Sequence, residues 1–128
     1  MVPLANLNRV PAYRDEHLSL EFDQQMAQLD SDRMVLTRKE YELLSLLVQH
    51  AGEIIPRDAL LMEIWGYGSE IRTRTLDVHI RRLRKKLGRY ADQYIETIFG
   101  IGYRFQPYRA PRVFQPSVMT KPAIAIGA

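Results

Sequence analysis

Residues 73–88 read TRTLDVHIRRLRKKLG, and the rest of the chain is organised around them. Leu76, Ile80, Leu83 and Leu87 recur at spacings of 4, 3 and 4, the period of one helix face. At about 100° per residue, the opposite face carries Arg74, Val78, Arg81, Arg82 and Lys85. The spacing predicts a helix with one side seated on a core and the other turned toward something negative. Thr73 is its expected N-cap and Gly88 its expected left-handed stop.

Most basic helix faces are simply solvated. Three features argue for a ligand here. Asp77 is the only acid in the stretch, so the charge is not neutralised by pairs along the helix. The cations are mostly arginines, whose planar fork matches phosphate oxygens and guanine edges. Val78 stands in the middle of the basic face, where a small apolar group suits a thymine methyl.

Composition sets the frame. With 128 residues, 46% hydrophobic and 26% charged, the chain reads as one globular domain with a tail at each end. Net charge is only +3, but eight of the eighteen Lys and Arg residues fall between Arg72 and Arg89. One concentrated patch on a mildly basic chain is the footprint of a nucleic-acid surface rather than a membrane surface. Zero cysteines exclude disulfides and thiolate zinc sites, and no long apolar run reads as a membrane span or a secretory leader. A cytoplasmic protein is expected.

Outward from the basic helix, residues 1–16 show no period and carry Pro3 and Pro11, as an extended lead or linker would. His17 to Phe22 alternates and predicts a strand. Gln25 to Leu29 and Met34 to Leu36 predict two more, around a turn at Asp30-Ser31-Asp32. Thr37 to Glu40 has the form of a capping box, opening a helix to about His50 with Gly52 beyond it. Ile54-Ile55 predicts a short bridge of strand. Pro56 opens a helix from about Arg57 to Trp65, and a loop from Gly66 to Arg72 leads to the basic helix. After Gly88, Tyr94–Ile98 and Tyr103–Phe105 flank glycines as a hairpin. Residues 108–128 contain Pro111, Pro116 and Pro122 and read as a disordered tail. The expectation is an α+β winged helix-turn-helix over residues 17–107: an N-terminal antiparallel sheet, a three-helix core and a C-terminal β-hairpin wing.

Three segments, LTRKEYELLSLLVQHAGEIIPRDALLMEIWG (36–66), RTLDVHIRRLRKKLG (74–88) and TIFGIGYRF (97–105), resemble the DNA-binding domain of OmpR/PhoB-type response regulators. The resemblance runs from about Leu18 to Phe105 and implies a role in transcription regulation. It implies base readout by Arg74, Thr75, Val78 and Arg82 in the major groove of double-stranded DNA. It implies phosphate contacts by His79, Arg81 and Arg84, with the Trp65 indole as a further candidate; Lys85 joins them from its place on the basic face. The wing would be Thr97, Phe99, Gly100, Gly102, Tyr103 and Arg104. Tyr67, Gly68, Ser69 and Glu70 match a loop that in the family can contact RNA polymerase. Tandem direct repeats, a monomer that pairs as a homodimer on DNA, and a receiver domain with its sensor kinase in a longer chain are also implied. The proline-bearing lead favours such a longer chain over a stand-alone regulator.

Two positions depart from the family. Phe99 stands where an arginine commonly probes the minor groove, so that readout is expected to weaken unless Arg104 or Arg109 substitutes, with Phe99 packing on the hairpin rather than against sugars. Pro56 replaces a capping serine or threonine.

Other classes fit less well. His17, His50 and His79 show no metal-ligand spacing, and no serine sits in a nucleophile elbow. Gly100-Ile101-Gly102 precedes no helix, so it is no nucleotide loop. Neither enzyme activity nor a metal or cofactor is expected. A winged helix used for protein contact alone would show aromatic or aliphatic anchors on the exposed helix face, not four cations around one valine.

Overall fold

The computed structural model describes residues 12–66 and 73–109. The lead before residue 12, the loop 67–72 with its polymerase-contact candidates, and the tail after residue 109 lie outside the described residues.

Four short strands open the described chain: β1 (Ala12–Arg14), β2 (Leu18–Glu21), β3 (Met26–Leu29) and β4 (Asp32–Arg33), hydrogen-bonded antiparallel in that order. Alternation in β2 puts Leu18 and Leu20 fully inside, as a half-buried strand requires. Two expectations change here. Residues 12–14, read as unstructured lead, pair with β2 from Ala12↔Glu21 to Arg14↔Ser19, and an Arg14–Glu21 ion pair crosses the ladder. The strand expected at Met34–Leu36 lies instead at Asp32–Arg33. Asp30 and Ser31 both take positive φ, 51° and 71°, so they close a two-residue hairpin and Asp32 already faces Leu29. One more bond, from the Met34 amide to the Ala27 carbonyl at 2.8 Å, ends the ladder.

Helix α1 (Arg38–Gln49) begins with the expected capping box: the Glu40 amide donates to Thr37 Oγ1 at 3.2 Å, and the Thr37 amide donates to Glu40 Oε1 at 2.9 Å. Its buried residues Tyr41, Leu43, Leu44, Leu47 and Val48 make it the central helix of the core. Strand β5 (Ile54–Pro56) runs straight into α2 (Arg57–Trp65), where Pro56 provides no side-chain cap. Helix α3 (Thr73–Leu87) is the basic stretch. It already includes Thr73, which was expected to cap it from outside. Gly88 has φ +60, the left-handed value expected of it, and begins a single 3₁₀ turn (Gly88–Tyr90) followed by a short α4 (Ala91–Tyr94). The segment 91–94 had no helical signal of its own. Strands β6 (Ile95–Ile98) and β7 (Gly102–Phe105) form the expected hairpin, and β5 pairs with the free edge of β7.

All four residues of the α3 stripe are at most 1% exposed, within one core that also takes Leu18, Leu20, Leu60, Tyr94 and Phe105. Glu40, only 1% exposed, is held by Lys86 Nζ at 2.5 Å in addition to the Thr37 amide. Burial pushes the Glu40 carboxyl up, but the Lys86 and Thr37 bonds outweigh it and hold the group below the ordinary carboxylate range. Asp15 behaves alike: burial raises it, and the Leu18 amide, the Tyr13 and Tyr94 hydroxyls and the His17 amide bring it below its usual value.

Two outcomes test this packing. Leu83→Ala should cost roughly 2–5 kcal/mol in chemical unfolding, because it opens a cavity under α3. A near-neutral result would mean that the helix faces are reversed. Glu40 and Asp15 are both depressed on folding, so their contribution is complete above the unfolded carboxylate range and drains away as pH falls below about 4. Glu40→Gln should therefore lower the melting temperature at neutral pH and shrink its fall toward acid; an acid limb as steep as the parent's would exclude Glu40 as a source.

Candidate nucleic-acid interface

Helix α3 is rotated so that Arg74, Arg81, Arg82 and Lys85 are exposed, with Thr75 and Val78 half-buried among them. None of these four cations forms an ion pair with a described residue, although six Lys or Arg ion pairs occur elsewhere among the described residues. Internal pairing would have spent their charge; left open, it is available to phosphate oxygens and base edges. The structure therefore brings the expected base-readout set, Arg74, Thr75, Val78 and Arg82, onto one outward face, with Arg81 and Lys85 beside it.

The flanking positions are more committed. His79 Nδ1 donates to the Thr75 carbonyl at 2.8 Å, since a carbonyl oxygen only accepts. That fixes the tautomer, and the neutral ring then offers Nε2 as an acceptor; a phosphate contact through Nε2 needs the ring doubly protonated. The ring also stands edge-on to Trp65, centroids 5.0 Å apart. Trp65 is half-buried and further approached by Lys39, whose ammonium lies 6.0 Å from the indole and donates to the Ile64 carbonyl at the end of α2.

Arg84, expected on phosphate, is turned to the wing. Its Nη2 donates to the Ile95 carbonyl at 3.0 Å and to Thr97 Oγ1 at 2.6 Å, and its guanidinium lies over the Tyr103 ring. It holds the hairpin against α3. Asp77 does the same from about two turns earlier in the helix: it takes the Tyr103 hydroxyl at 2.6 Å and pairs with Arg57 of α2. Burial and the bond to Asp77 push the Tyr103 phenol up to about 12, so it keeps the proton it donates. Neither the Asp77–Arg57 pair nor the Glu40–Lys86 pair was legible in the sequence. Asp77 stood out only as the lone acid of a basic stretch.

The wing itself is tightly built. Gly102 lets the backbones of β7 and β5 approach so closely that a Cβ there would stand 2.0 Å from the Ile55 carbonyl oxygen. Gly100 turns the tip at φ +76, and the Arg57 amide donates to the Ile101 carbonyl at 3.0 Å. Arg104 faces Glu96 across the ladder and gives it both Nε and Nη2, at 2.9 and 2.8 Å. Arg109 follows the far end of β7, next to Tyr108, whose amide is bound to Asp15. Neither arginine is free at the wing tip, where each could have substituted for the missing one. Phe99 does not pack on the hairpin as expected: it is 89% exposed, and Ile101 is 52% exposed beside it. Two residues of reverse turn offer it no surface to lie on. Among the described residues, no group of three or more His, Cys, Asp or Glu side chains could hold a metal.

Gly102→Ala should destabilise the domain by roughly 1–3 kcal/mol in urea unfolding, the usual cost of overpacking against a backbone that has to move. An unchanged midpoint would show that β5 and β7 can separate freely.

Comparison with known proteins agrees with this geometry. Residues 31–105 match the family described as transcriptional regulatory protein, C terminal. The transcriptional regulatory protein SrrA of Staphylococcus aureus is 37% identical over 94 residues, covering 71% of this chain and 39% of SrrA, so the chain spans well under half the length of that relative. The response regulator DrrB of Thermotoga maritima, an OmpR/PhoB homolog, superposes with a TM-score of 0.72 at 29% identity, over 80% of this chain and 47% of DrrB. The Klebsiella pneumoniae RstA DNA-binding domain, solved in complex with the RstA box, superposes at 0.68 and 31% identity, over 77% of this chain and 100% of that one. With the sheet, the three core helices and the clamped hairpin already in place, these likenesses fix the family: the chain belongs to the C-terminal winged-helix effector domains of OmpR/PhoB-type transcriptional regulators.

Proposed function

We propose that this chain binds duplex DNA sequence-specifically to regulate transcription, with α3 in the major groove and the β6–β7 hairpin on the adjacent backbone and minor groove. The observation that carries the reading is the outward face of α3, where Arg74, Arg81, Arg82 and Lys85 stand exposed around Val78 without ion-pair partners among the described residues. Arg82 and Arg74 read guanines, Val78 meets a thymine methyl, and Arg81 and Lys85 neutralise phosphates. The hydrogen bonds of Arg84 and Asp77 to the wing support a two-part grip in which helix and hairpin arrive together. The likeness to an RstA DNA-binding domain solved in complex with the RstA box supports DNA as the ligand.

The domain acts as a binding module rather than an enzyme, in the cytoplasm, as the effector half of a longer regulator. A receiver domain, phosphorylated by a sensor kinase, would raise affinity by pairing two copies on tandem direct repeats, because tethering makes the second binding event intramolecular. Tyr67, Gly68, Ser69 and Glu70 are the candidate contacts for RNA polymerase in this scheme.

Selection of bound sequences from a random duplex pool at near-physiological salt tests the reading. Enrichment of direct repeats about one helical turn apart is expected; recovery of random sequence, even by an artificially dimerised protein, would turn the basic helix over to another partner. Arg82→Ala should then cost roughly 1–3 kcal/mol on the selected site and relax one base position. Arg81→Ala should weaken all duplexes alike and flatten the salt dependence by about one counterion. Equal losses on selected and random DNA for Arg82→Ala would make that residue a phosphate contact.

A further inference from the structure

We infer that Phe99 is an apolar wedge in the minor groove, selecting an easily unstacked pyrimidine–purine step beside the half-site. This rests on the DNA-binding reading above and adds to it a specificity element that makes no hydrogen bond to a base.

Phe99 is the most exposed large hydrophobic side chain among the described residues, at 89%, and Ile101 stands 52% exposed on the other side of Gly100. The turn that carries them is closed by the Ile101 amide on the Ile98 carbonyl at 2.9 Å and held from α2 by the Arg57 amide on the Ile101 carbonyl at 3.0 Å. The backbone that carries the ring is therefore pre-organised, so contact costs the ring its own rotamer freedom but little ordering of the turn.

Its position follows from the clamp. Thr97 is bonded to Arg84 of α3, and Phe99 lies two residues further along the hairpin, about 7 Å at strand rise. The tip therefore moves with α3. When α3 occupies a major groove, an element fixed beside it meets the flanking sugars and the neighbouring minor groove. The wing strands supply no spare cation for the phosphates there, because Arg104 is held by Glu96. What the tip brings is apolar surface, and the complementary surface on the duplex is the deoxyribose wall and the face of a partly opened base step. Phenylalanine has no donor with which to read base edges. It discriminates by the energy needed to unstack them, which is lowest at TA and CA/TG steps. A protein partner would meet the same patch without any need for its attachment to α3, so the clamp favours DNA.

The test compares the parent with Phe99→Ala and Phe99→Arg in random-pool selection, affinity at several salt concentrations, and bending measured by phasing. Phe99 buries nothing, so both variants should fold, and thermal melts confirm that. The parent should enrich a TA or CA/TG step at a fixed offset on one flank and bend the site. Phe99→Ala should keep the major-groove motif, lose the flanking preference and the bend, and weaken binding about tenfold with no change in salt slope. Phe99→Arg should restore affinity with a steeper salt slope and exchange the flexible step for an A-tract. Unchanged affinity, flank and bend in Phe99→Ala would overturn the wedge while leaving the DNA-binding reading intact. So would a loss confined to self-association or polymerase binding, which would assign the patch to a protein. A parent that selects no motif would overturn both.

Discussion

The rotation of α3 about its own axis is the constraint on which the surface chemistry depends. Leu76, Ile80, Leu83 and Leu87 are all within 1% of complete burial, and together they leave the helix one way to sit. A rotation by one residue would drive an arginine into the core at a cost of several kcal/mol and expose a leucine. The basic face points outward because the apolar face has only one place to go. Two polar locks then fix the setting along the axis: Lys86 on the buried Glu40 near one end, and Asp77 between Arg57 and Tyr103 near the other.

The basic residues of this helix are thus a divided population. Lys86 neutralises a buried carboxylate, and Arg84 holds the wing, while Arg74, Arg81, Arg82 and Lys85 remain open to solvent. Arg81, Arg82, Arg84, Lys85 and Lys86 are near neighbours in sequence, yet their roles differ because each step along the helix turns the side chain by about 100° toward a different neighbour. A run of cations on a helix is best counted after the faces have been assigned. The same division reaches the hairpin, where Arg104 serves the ladder and the tip is left to hydrocarbon.

How much of this was legible follows from what is local. The three core helices, the capping box at Thr37 and Glu40, and the hairpin strands lie close to where periodicity and turn residues put them, because those signals act over a few residues. The misses are of two kinds. Strand β1 has three residues and β4 two, too short for alternation to register, and β4 is placed by positive φ at Asp30 and Ser31, which composition alone marks only as a turn. The other misses are long-range. Arg57 with Asp77, Lys86 with Glu40, and Arg84 with Thr97 are partners set by the packed fold. Their sequence separations of 20, 46 and 13 residues carry no local signature. The exposure of Phe99 has a related cause: an apolar residue packs only where the fold supplies a surface, and a tight turn provides none.

Asp15 joins the two ends of the domain. Its carboxylate accepts the Tyr13 hydroxyl at 2.5 Å, the Tyr94 hydroxyl at 2.7 Å and the Tyr108 amide at 3.2 Å, the last across 93 residues of chain. Chain entry and chain exit therefore share a single mooring. Anything attached upstream of residue 12 pulls on the same point as anything attached downstream of residue 109. A pull on residue 12 or on residue 109 would load that one carboxylate, at the end of the hairpin opposite its tip.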